Sequence, residues 1–244
     1  MPTEALLEAF LDALARLRPL AVWAHGSLAG GDYQEGRSDL DLIAVLPGPL
    51  GPGTVWRAAT LHHGLRADPL AAKLHCSYPT PGTLDDPERR HLTWAHGRLA
   101  RRPVTPVTRR ELLGFGRVLR GEPPAALLPP VPDGQLAAFV VRDQRAFWRP
   151  AVDDARLWRQ DVWVDLGLLT FARATVTLRE GRLISKREAL AELPALGAPA
   201  EVVEDVRRRR YGPPGPAPLD NGRRARLTRA YLGPAIDRLT GAYG

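Results

Sequence analysis

The sequence is poor in cysteine and lysine, and it has no long apolar run. Its 244 residues include one cysteine, Cys76, so no disulfide can form within the chain. This composition suits a reducing compartment, and no apolar run approaches the roughly 18 residues that a membrane-spanning helix needs. Residues 1–20 show no secretory signal, because charged side chains interrupt the apolar ones at helical spacing. We therefore expect a cytoplasmic protein without a membrane segment.

Lysine is scarce in a chain that is basic overall. Lys73 and Lys186 are the two lysines among 34 Lys and Arg residues, against 27 acidic residues, which gives a formal net charge of +7. A basic balance favours polyanionic ligands such as nucleotides and nucleic acids. An arginine excess in a chain rich in Ala, Gly and Pro is also typical of coding bias. The charge alone therefore does not predict a nucleic-acid surface, and we do not expect nucleic acid as a partner.

The order of the predicted elements divides the chain into two parts. Strand-like apolar stretches occur only in the first half, at 20–24, 38–46, 70–78 and 92–101. Helical spacing is expected in both parts, at 3–17, 55–64, 109–120, 135–148, 153–179, 186–193, 200–210 and 223–239. The chain crosses from one part to the other between Pro130 and Pro150. We predict an α+β protein with a mixed sheet and flanking helices over 1–149, followed by an all-α helical bundle domain over 150–244.

The stretch that carries chemistry begins with Gly26-Ser27 and continues, after eleven intervening residues, with Asp39-Leu40-Asp41. Asp39 and Asp41 stand at alternate positions of a predicted strand, so both carboxylates are expected on one face. Magnesium accepts one or two carboxylates and completes its octahedron with water and phosphate oxygens. Gly26 lets the backbone approach a phosphate closely, and the Ser27 hydroxyl can donate to its oxygens. The pattern therefore predicts a metal-dependent site for a nucleoside triphosphate.

This order of elements resembles the DNA polymerase beta-type nucleotidyltransferase superfamily, and more narrowly the aminoglycoside adenylyltransferases that modify streptomycin and spectinomycin. The similarity runs from about Trp23 to about Leu193. Outside the motif it rests on a proline-rich inter-domain segment, with Gly121-Glu122-Pro123-Pro124, Leu127 to Pro132 and Gln135-Leu136. It rests further on a stretch of the helical domain, with Leu168-Leu169-Thr170, Arg173, Thr177-Leu178, Gly181, Ser185-Lys186 and Ala189.

The resemblance implies an enzyme that transfers a nucleoside monophosphate, AMP from ATP, to a hydroxyl of an aminoglycoside or similar small molecule. Asp39 and Asp41 would then hold two Mg²⁺ ions, with ATP as co-substrate. Gly26 and Ser27 would bind the triphosphate. Lys186, in the Ser-Lys position, would reach the phosphates, although it also suits an ordinary surface lysine at the start of a helix.

The chain departs from the family at the general base. The family places a glutamate on the strand that follows the double-Asp strand, but the stretch 70–78 contains no carboxylate. His75 is one candidate, because an imidazole near its ordinary pKa suits proton transfer and shares a strand face with Lys73 and Ser77. Asp68, in the preceding loop, is a second candidate. The third alternative is that the base is absent and the protein transfers slowly or only binds nucleotide.

Acceptor binding and function also leave alternatives open. Asp161 and Asp165 lie one helical turn apart and could bind a polycationic acceptor, or they could form a solvated helix face. His62 and His63 lack the spacing of a metal site and are expected at the surface. The competing functions are nucleotidyl transfer to RNA or protein, and nucleotide binding by a regulator without turnover. We expect a monomer.

Overall fold

The computed structural model describes residues 2–213, 215 and 219–244, and the contacts divide the chain into two units, 1–131 and 132–244. The sequence predicted a domain boundary between residues 149 and 150, whereas the contacts place the boundary between residues 131 and 132. Both positions lie within the interval from Pro130 to Pro150. The helix α6 (Asp133–Asp143) lies in the second unit, where it packs against two long helices, Asp161–Glu180 and Asn221–Tyr243.

The first unit contains a mixed six-stranded sheet. Its strands follow the order β5-β4-β3-β2-β1-β6, and β2 and β3 are parallel while the other neighbours are antiparallel. The strands are β1 (Ala21–Ala24), β2 (Leu40–Val45), β3 (Leu74–Tyr78), β4 (Arg90–Ala95), β5 (Arg98–Pro103) and β6 (Arg117–Gly121). The helices are α1 (Pro2–Leu14), α2 (Gly26–Ala29), α3 (Pro52–Gly64), α4 (Pro106–Phe115) and α5 (Pro124–Leu127).

Each face of the sheet carries its own apolar core. On one face, Leu42 of β2 and Cys76 of β3 share a buried cluster with Phe10 of α1. On the other face, Ile43 of β2 shares a cluster with Leu112 of α4. Because strand residues alternate between faces, Asp41 lies on the same face as Ile43.

Two elements of the first unit differ from the sequence expectation. The strand expected over 92–101 is a hairpin of β4 and β5, because the chain reverses at His96 and Gly97, which have φ of 51° and 72°. The helix expected over 109–120 ends at Phe115, and β6 follows. A Cβ on Gly116 would lie 2.5 Å from the Leu112 carbonyl oxygen, so this close turn requires glycine.

His62 also differs from the expectation, because it is buried rather than at the surface. Its Nε2 lies 2.6 Å from the Tyr78 hydroxyl, and its ring stacks on Trp94 with centroids 4.7 Å apart. Burial, followed by the charge of His63, lowers the pKa of His62 to about 3. His63 is exposed, as expected.

Among the residues that the structure describes, the second unit contains helices and their connections but no strand, so the predicted fold class is confirmed. Its helices are α6, a π-helical segment (Gln144–Trp148), α7 (Arg149–Asp153), α8 (Asp161–Glu180), α9 (Lys186–Glu192), α10 (Ala200–Tyr211) and α11 (Asn221–Tyr243). Helix α8 packs against α6, α9 and α11. The single helix expected over 153–179 is interrupted at 154–160.

None of the helices in the described part of the chain has the length and the apolar character needed to cross a membrane.

Candidate active site

The Gly-Ser turn is built against the second carboxylate of the double-Asp motif. His25 precedes α2 in an extended conformation, and Gly26 opens the helix with φ of +62°. A Cβ on Gly26 would lie 3.0 Å from Asp41 Oδ2. The absence of a side chain on Gly26 therefore lets the turn lie close to the Asp41 carboxylate. The binding of a triphosphate by Gly26 and Ser27 stays a prediction.

Asp39 immediately precedes β2, and Asp41 is the second residue of this strand, beside β3. Their side chains are 39% and 37% exposed, so both carboxylates remain accessible to solvent. The Lys73 Nζ lies 3.5 Å from Asp39 Oδ1, and the His75 Nδ1 lies 3.5 Å from Asp41 Oδ1. The structure thus brings three of the predicted site residues, Asp39, Asp41 and His75, together with Lys73 at one end of two neighbouring parallel strands.

The chemistry of these donors fits magnesium better than a cation that needs a complete protein cage. Among the described residues, no group of three or more His, Cys, Asp or Glu side chains is arranged to hold a metal ion. Magnesium commonly takes one or two protein carboxylates and fills its other positions with water and substrate phosphate oxygens. Asp39 and Asp41 are both accessible, and Asp41 lies next to Gly26, so these two carboxylates could form such a partial set.

His75 lies at the middle of this arrangement. It is paired in register with Asp41, and it is buried. Its ring meets the ring of His96 edge-on with centroids 4.5 Å apart, and its Nε2 is buried without a hydrogen-bond partner in the part of the chain that the structure describes. His75 therefore faces Asp41 through Nδ1 alone.

Asp68, the acid that the sequence offered as an alternative base, and Asp86, which follows β3 in the chain, are each engaged in their own loops. Asp68 caps the 3-10 helix Pro69–Lys73, where its side chain accepts a hydrogen bond of 2.8 Å from the Leu70 amide. Asp86 accepts from the amides of Glu88 and Arg89 at 2.9 and 3.2 Å. Both carboxylates stabilise local turns.

A cavity of about 140 Å³ opens on the sheet face that carries Asp41. The Ser77 and Thr93 hydroxyls on its wall lie 2.8 Å apart. Its polar lining consists of His25, Asp41, His75, Ser77, Thr93, Arg102 and Thr108. The cavity can admit a hydroxyl group and a few neighbouring atoms next to the Asp41 carboxylate.

One pair of side chains next to the double-Asp motif was missed in the sequence. His25 Nδ1 lies 3.1 Å from Glu111 Oε2, and their side chains are 15% and 8% exposed. Burial disfavours the charged imidazole, but the hydrogen bond to Glu111 and the charges of Asp41 and Glu111 outweigh it and raise the pKa of His25. The two residues are 86 positions apart, so local spacing carries no signal of the contact.

In the second unit, Lys186 is the first residue of α9, after Ser185. The Ser185 hydroxyl accepts from the Glu188 amide at 3.1 Å, and Glu188 accepts from the Ser185 amide at 2.7 Å. This capping box stabilises the start of α9, so Ser185 has a structural role that does not depend on nucleotide binding. The role of Lys186 in binding nucleotide stays a prediction.

Asp161 and Asp165 belong to a network of ion pairs between α8, α10 and α11. Asp165 pairs with Arg209, and Asp161 pairs with Arg224. The buried Asp205 accepts from both arginines at 3.0 Å. Burial raises the pKa of Asp165 to about 6, against the opposing effect of Arg209. The network gives these carboxylates a structural role, and their acceptor binding stays a prediction.

The fold of the chain is that of an adenyltransferase of known structure. No protein-family model matches the sequence, and no curated protein matches it significantly. The structure is similar to the crystal structure of spectinomycin adenyltransferase AAD(9) from Enterococcus faecialis with ATP and spectinomycin. The similarity covers 96% of this chain and 99% of that chain, with a TM-score of 0.74 and 16% sequence identity. It confirms the fold that the motif and the resemblance predicted.

Proposed function

We propose that the protein is a nucleotidyltransferase that uses Mg²⁺ and transfers AMP from ATP to a hydroxyl of a small molecule, an aminoglycoside or a similar compound. The observation that carries this proposal is the Gly26-Ser27 turn, which is packed against Asp41 so closely that a Cβ on Gly26 would lie 3.0 Å from the carboxylate. A triphosphate bound at this turn would have its phosphorus atoms beside two accessible carboxylates.

In this proposal, each part of the site has a distinct role in the reaction. The Ser27 hydroxyl and the amides at the start of α2 bind phosphate oxygens. Asp39 and Asp41 would hold the magnesium ions, whose charge stabilises the attacking and leaving oxygens. The acceptor hydroxyl enters the cavity beside Asp41 and forms a bond to the α-phosphorus, while the bond to the β-phosphate breaks and pyrophosphate leaves.

The acceptor class is supported by the shared fold. The similar protein is a spectinomycin adenyltransferase whose structure contains ATP and spectinomycin. Spectinomycin and streptomycin are therefore the first acceptors to test.

The test is an assay of pyrophosphate release with ATP and Mg²⁺ in the presence of each drug, followed by mass spectrometry for the adenylylated product. Replacing Asp39 or Asp41 by Asn should lower the rate by about 100-fold or more, because each variant removes a metal ligand. Asp12→Asn is the matched control, since Asp12 is an exposed carboxylate of the same unit on α1.

An Asp41→Asn protein that releases pyrophosphate as fast as the wild type would contradict the proposed mechanism. Binding of ATP without release on either drug would favour the alternatives of a macromolecular acceptor or a nucleotide-binding regulator.

A further inference from the structure

Two imidazoles flank the Asp41 carboxylate on the same face of the sheet. On the β3 side, His75 is paired with Asp41 in register. On the β1 side, the backbone amide of His25 donates a hydrogen bond of 3.0 Å to the Asp41 carbonyl oxygen. Both rings line the cavity beside Asp41. Either ring is thus close to the position where an acceptor hydroxyl would enter.

The two rings differ in which nitrogen can be reached. The His75 Nδ1 lies 3.5 Å from Asp41 Oδ1, and its Nε2 is buried without a hydrogen-bond partner among the described residues. The His25 Nδ1 is instead 3.1 Å from Glu111 Oε2, which leaves Nε2 as the ring nitrogen that could accept a proton from a group in the cavity that His25 lines. A general base needs a lone pair within hydrogen-bond reach of the hydroxyl that it deprotonates.

Glu111 fixes the orientation of His25. An ionised Glu111 carboxylate can only accept hydrogen bonds, so the proton at the contact lies on His25 Nδ1, and the ring has a lone pair on Nε2 whenever it is neutral. Glu111 projects from α4, where Leu112, the next residue, is anchored in the core with Trp23 and Ile43. A base that is oriented by a buried carboxylate is the arrangement that activates hydroxyl nucleophiles in unrelated enzymes.

We propose that His25, positioned by Glu111, is the general base for the acceptor hydroxyl in place of the missing strand glutamate, and that His75 is not. This inference rests on the proposed function. The acceptor O–H bond breaks and its proton moves to His25 Nε2, while the oxygen bonds to the α-phosphorus. The bond between the α-phosphorus and the bridging oxygen breaks, and pyrophosphate leaves with the electron pair. The Nδ1 proton stays on the ring, hydrogen-bonded to Glu111.

The kinetic test compares His25→Gln with His75→Gln in the drug-dependent assay. We expect His25→Gln to lower kcat by about 100-fold to 10,000-fold, the usual contribution of a general base, with the Kd for ATP and Mg²⁺ within about twofold of the wild type. His75→Gln should retain the larger share of kcat. His63→Gln is the control, because His63 is an exposed histidine of the same unit.

Glu111 is tested as a positioning residue. Glu111→Ala should lower kcat without changing the Kd for ATP, and Glu111→Gln should restore part of the loss, because the amide oxygen still accepts a hydrogen bond from Nδ1. A merely structural role would lower thermal stability in both variants without this split between kcat and ATP binding. Glu8→Gln, an exposed change on α1, is the control.

A measurement without any acceptor provides a second test. Nitrogen-15 spectra of the histidine rings should show a proton on His25 Nδ1 in the wild type. The proposal is overturned if Nδ1 carries none, if His25→Gln keeps kcat within about threefold of the wild type, or if it weakens ATP binding as much as it slows turnover. A wild-type protein that neither binds ATP with Mg²⁺ nor releases pyrophosphate overturns the proposed function, and this inference with it.

Discussion

At the scale of single residues, Gly26 is the position where the backbone itself shapes the site. Its φ of +62° is a conformation that costs other residues about 1–2 kcal/mol, and a Cβ would lie 3.0 Å from Asp41 Oδ2. We predict that Gly26→Ala displaces the Asp41 carboxylate and lowers transfer by about tenfold or more, with a loss of about 1–2 kcal/mol in unfolding free energy. Steady-state kinetics and urea denaturation measure the two effects.

The matched control is Gly48→Ala. A Cβ on Gly48 meets no atom within 4 Å, so this variant should keep both activity and stability close to the wild type. If Gly26→Ala keeps the activity and the unfolding free energy as well as Gly48→Ala does, the close approach of the turn to Asp41 does not contribute to function.

Because His62 is buried, its protonation should make the stability of the protein depend on pH. Its pKa is about 3 in the folded protein, because of burial and the charge of His63, against about 6.5 in an unfolded chain. The unfolded state therefore binds the proton more readily, so the contribution of His62 is fully present above pH 6.5 and is lost as the pH falls from 6.5 towards 3. The unfolding free energy should decrease by up to about 1.4 kcal/mol per pH unit in this window.

Urea denaturation between pH 7 and pH 4 measures this dependence. His62→Phe, which cannot be protonated, should flatten the slope relative to the wild type, and the exposed variant His63→Gln should leave most of it in place. Equal slopes in the wild type and His62→Phe would show that other groups control acid unfolding.

At the scale of the elements, the second unit is held together by a buried ion pair between two helices. Asp205 of α10 and Arg224 of α11 have side chains that are almost completely buried, and their contact is 3.0 Å. Removing Asp205 takes away the buried carboxylate that pairs with both Arg224 and Arg209, and it leaves the completely buried Arg224 with the half-exposed Asp161 as its carboxylate partner. We predict that Asp205→Ala costs about 3–5 kcal/mol of unfolding free energy in chemical denaturation.

Asp237→Ala is the comparison on α11. Asp237 pairs with Arg149 at 2.8 Å, but both side chains are partly exposed, and such surface pairs contribute about 0–1 kcal/mol. If Asp205→Ala lowered the unfolding free energy as little as Asp237→Ala, burial of the ion pair would not determine its contribution to stability.

The sequence predicted the type of most elements better than their ends. The strands expected over 38–46 and 70–78 are shorter in the structure, at Leu40–Val45 and Leu74–Tyr78. The second strand begins later than expected because Pro69–Lys73 forms a 3-10 helix. The β4–β5 hairpin was not predicted, since His96 is a non-glycine residue with positive φ and gives no standard turn signal. Periodicity indicates which residues are buried, but the reversal of the chain depends on backbone conformations that it does not report.

At the scale of the whole molecule, the fold could be predicted because its signals are local. Strands in the first half, a helical second half and the spacing from Gly26 to Asp41 all lie within short windows. The contact of His25 with Glu111 joins residues 86 positions apart, and the ion pair of Asp165 with Arg209 joins residues 44 apart. Such contacts depend on how helices pack against sheets and one another, so the predicted site lacked Glu111 and treated Asp165 as an open carboxylate.

The central claim is that Asp39 and Asp41 make nucleotide binding dependent on a metal ion. The most direct measurement is calorimetric titration of the protein with ATP, once with Mg²⁺ and once with a chelator. We predict that wild-type affinity falls by about tenfold or more without Mg²⁺, a change of about 1.4 kcal/mol, and that Asp41→Asn loses most of this difference while Asp12→Asn keeps it. An Asp41→Asn protein that binds ATP with the wild-type affinity and the same dependence on Mg²⁺ would contradict the account.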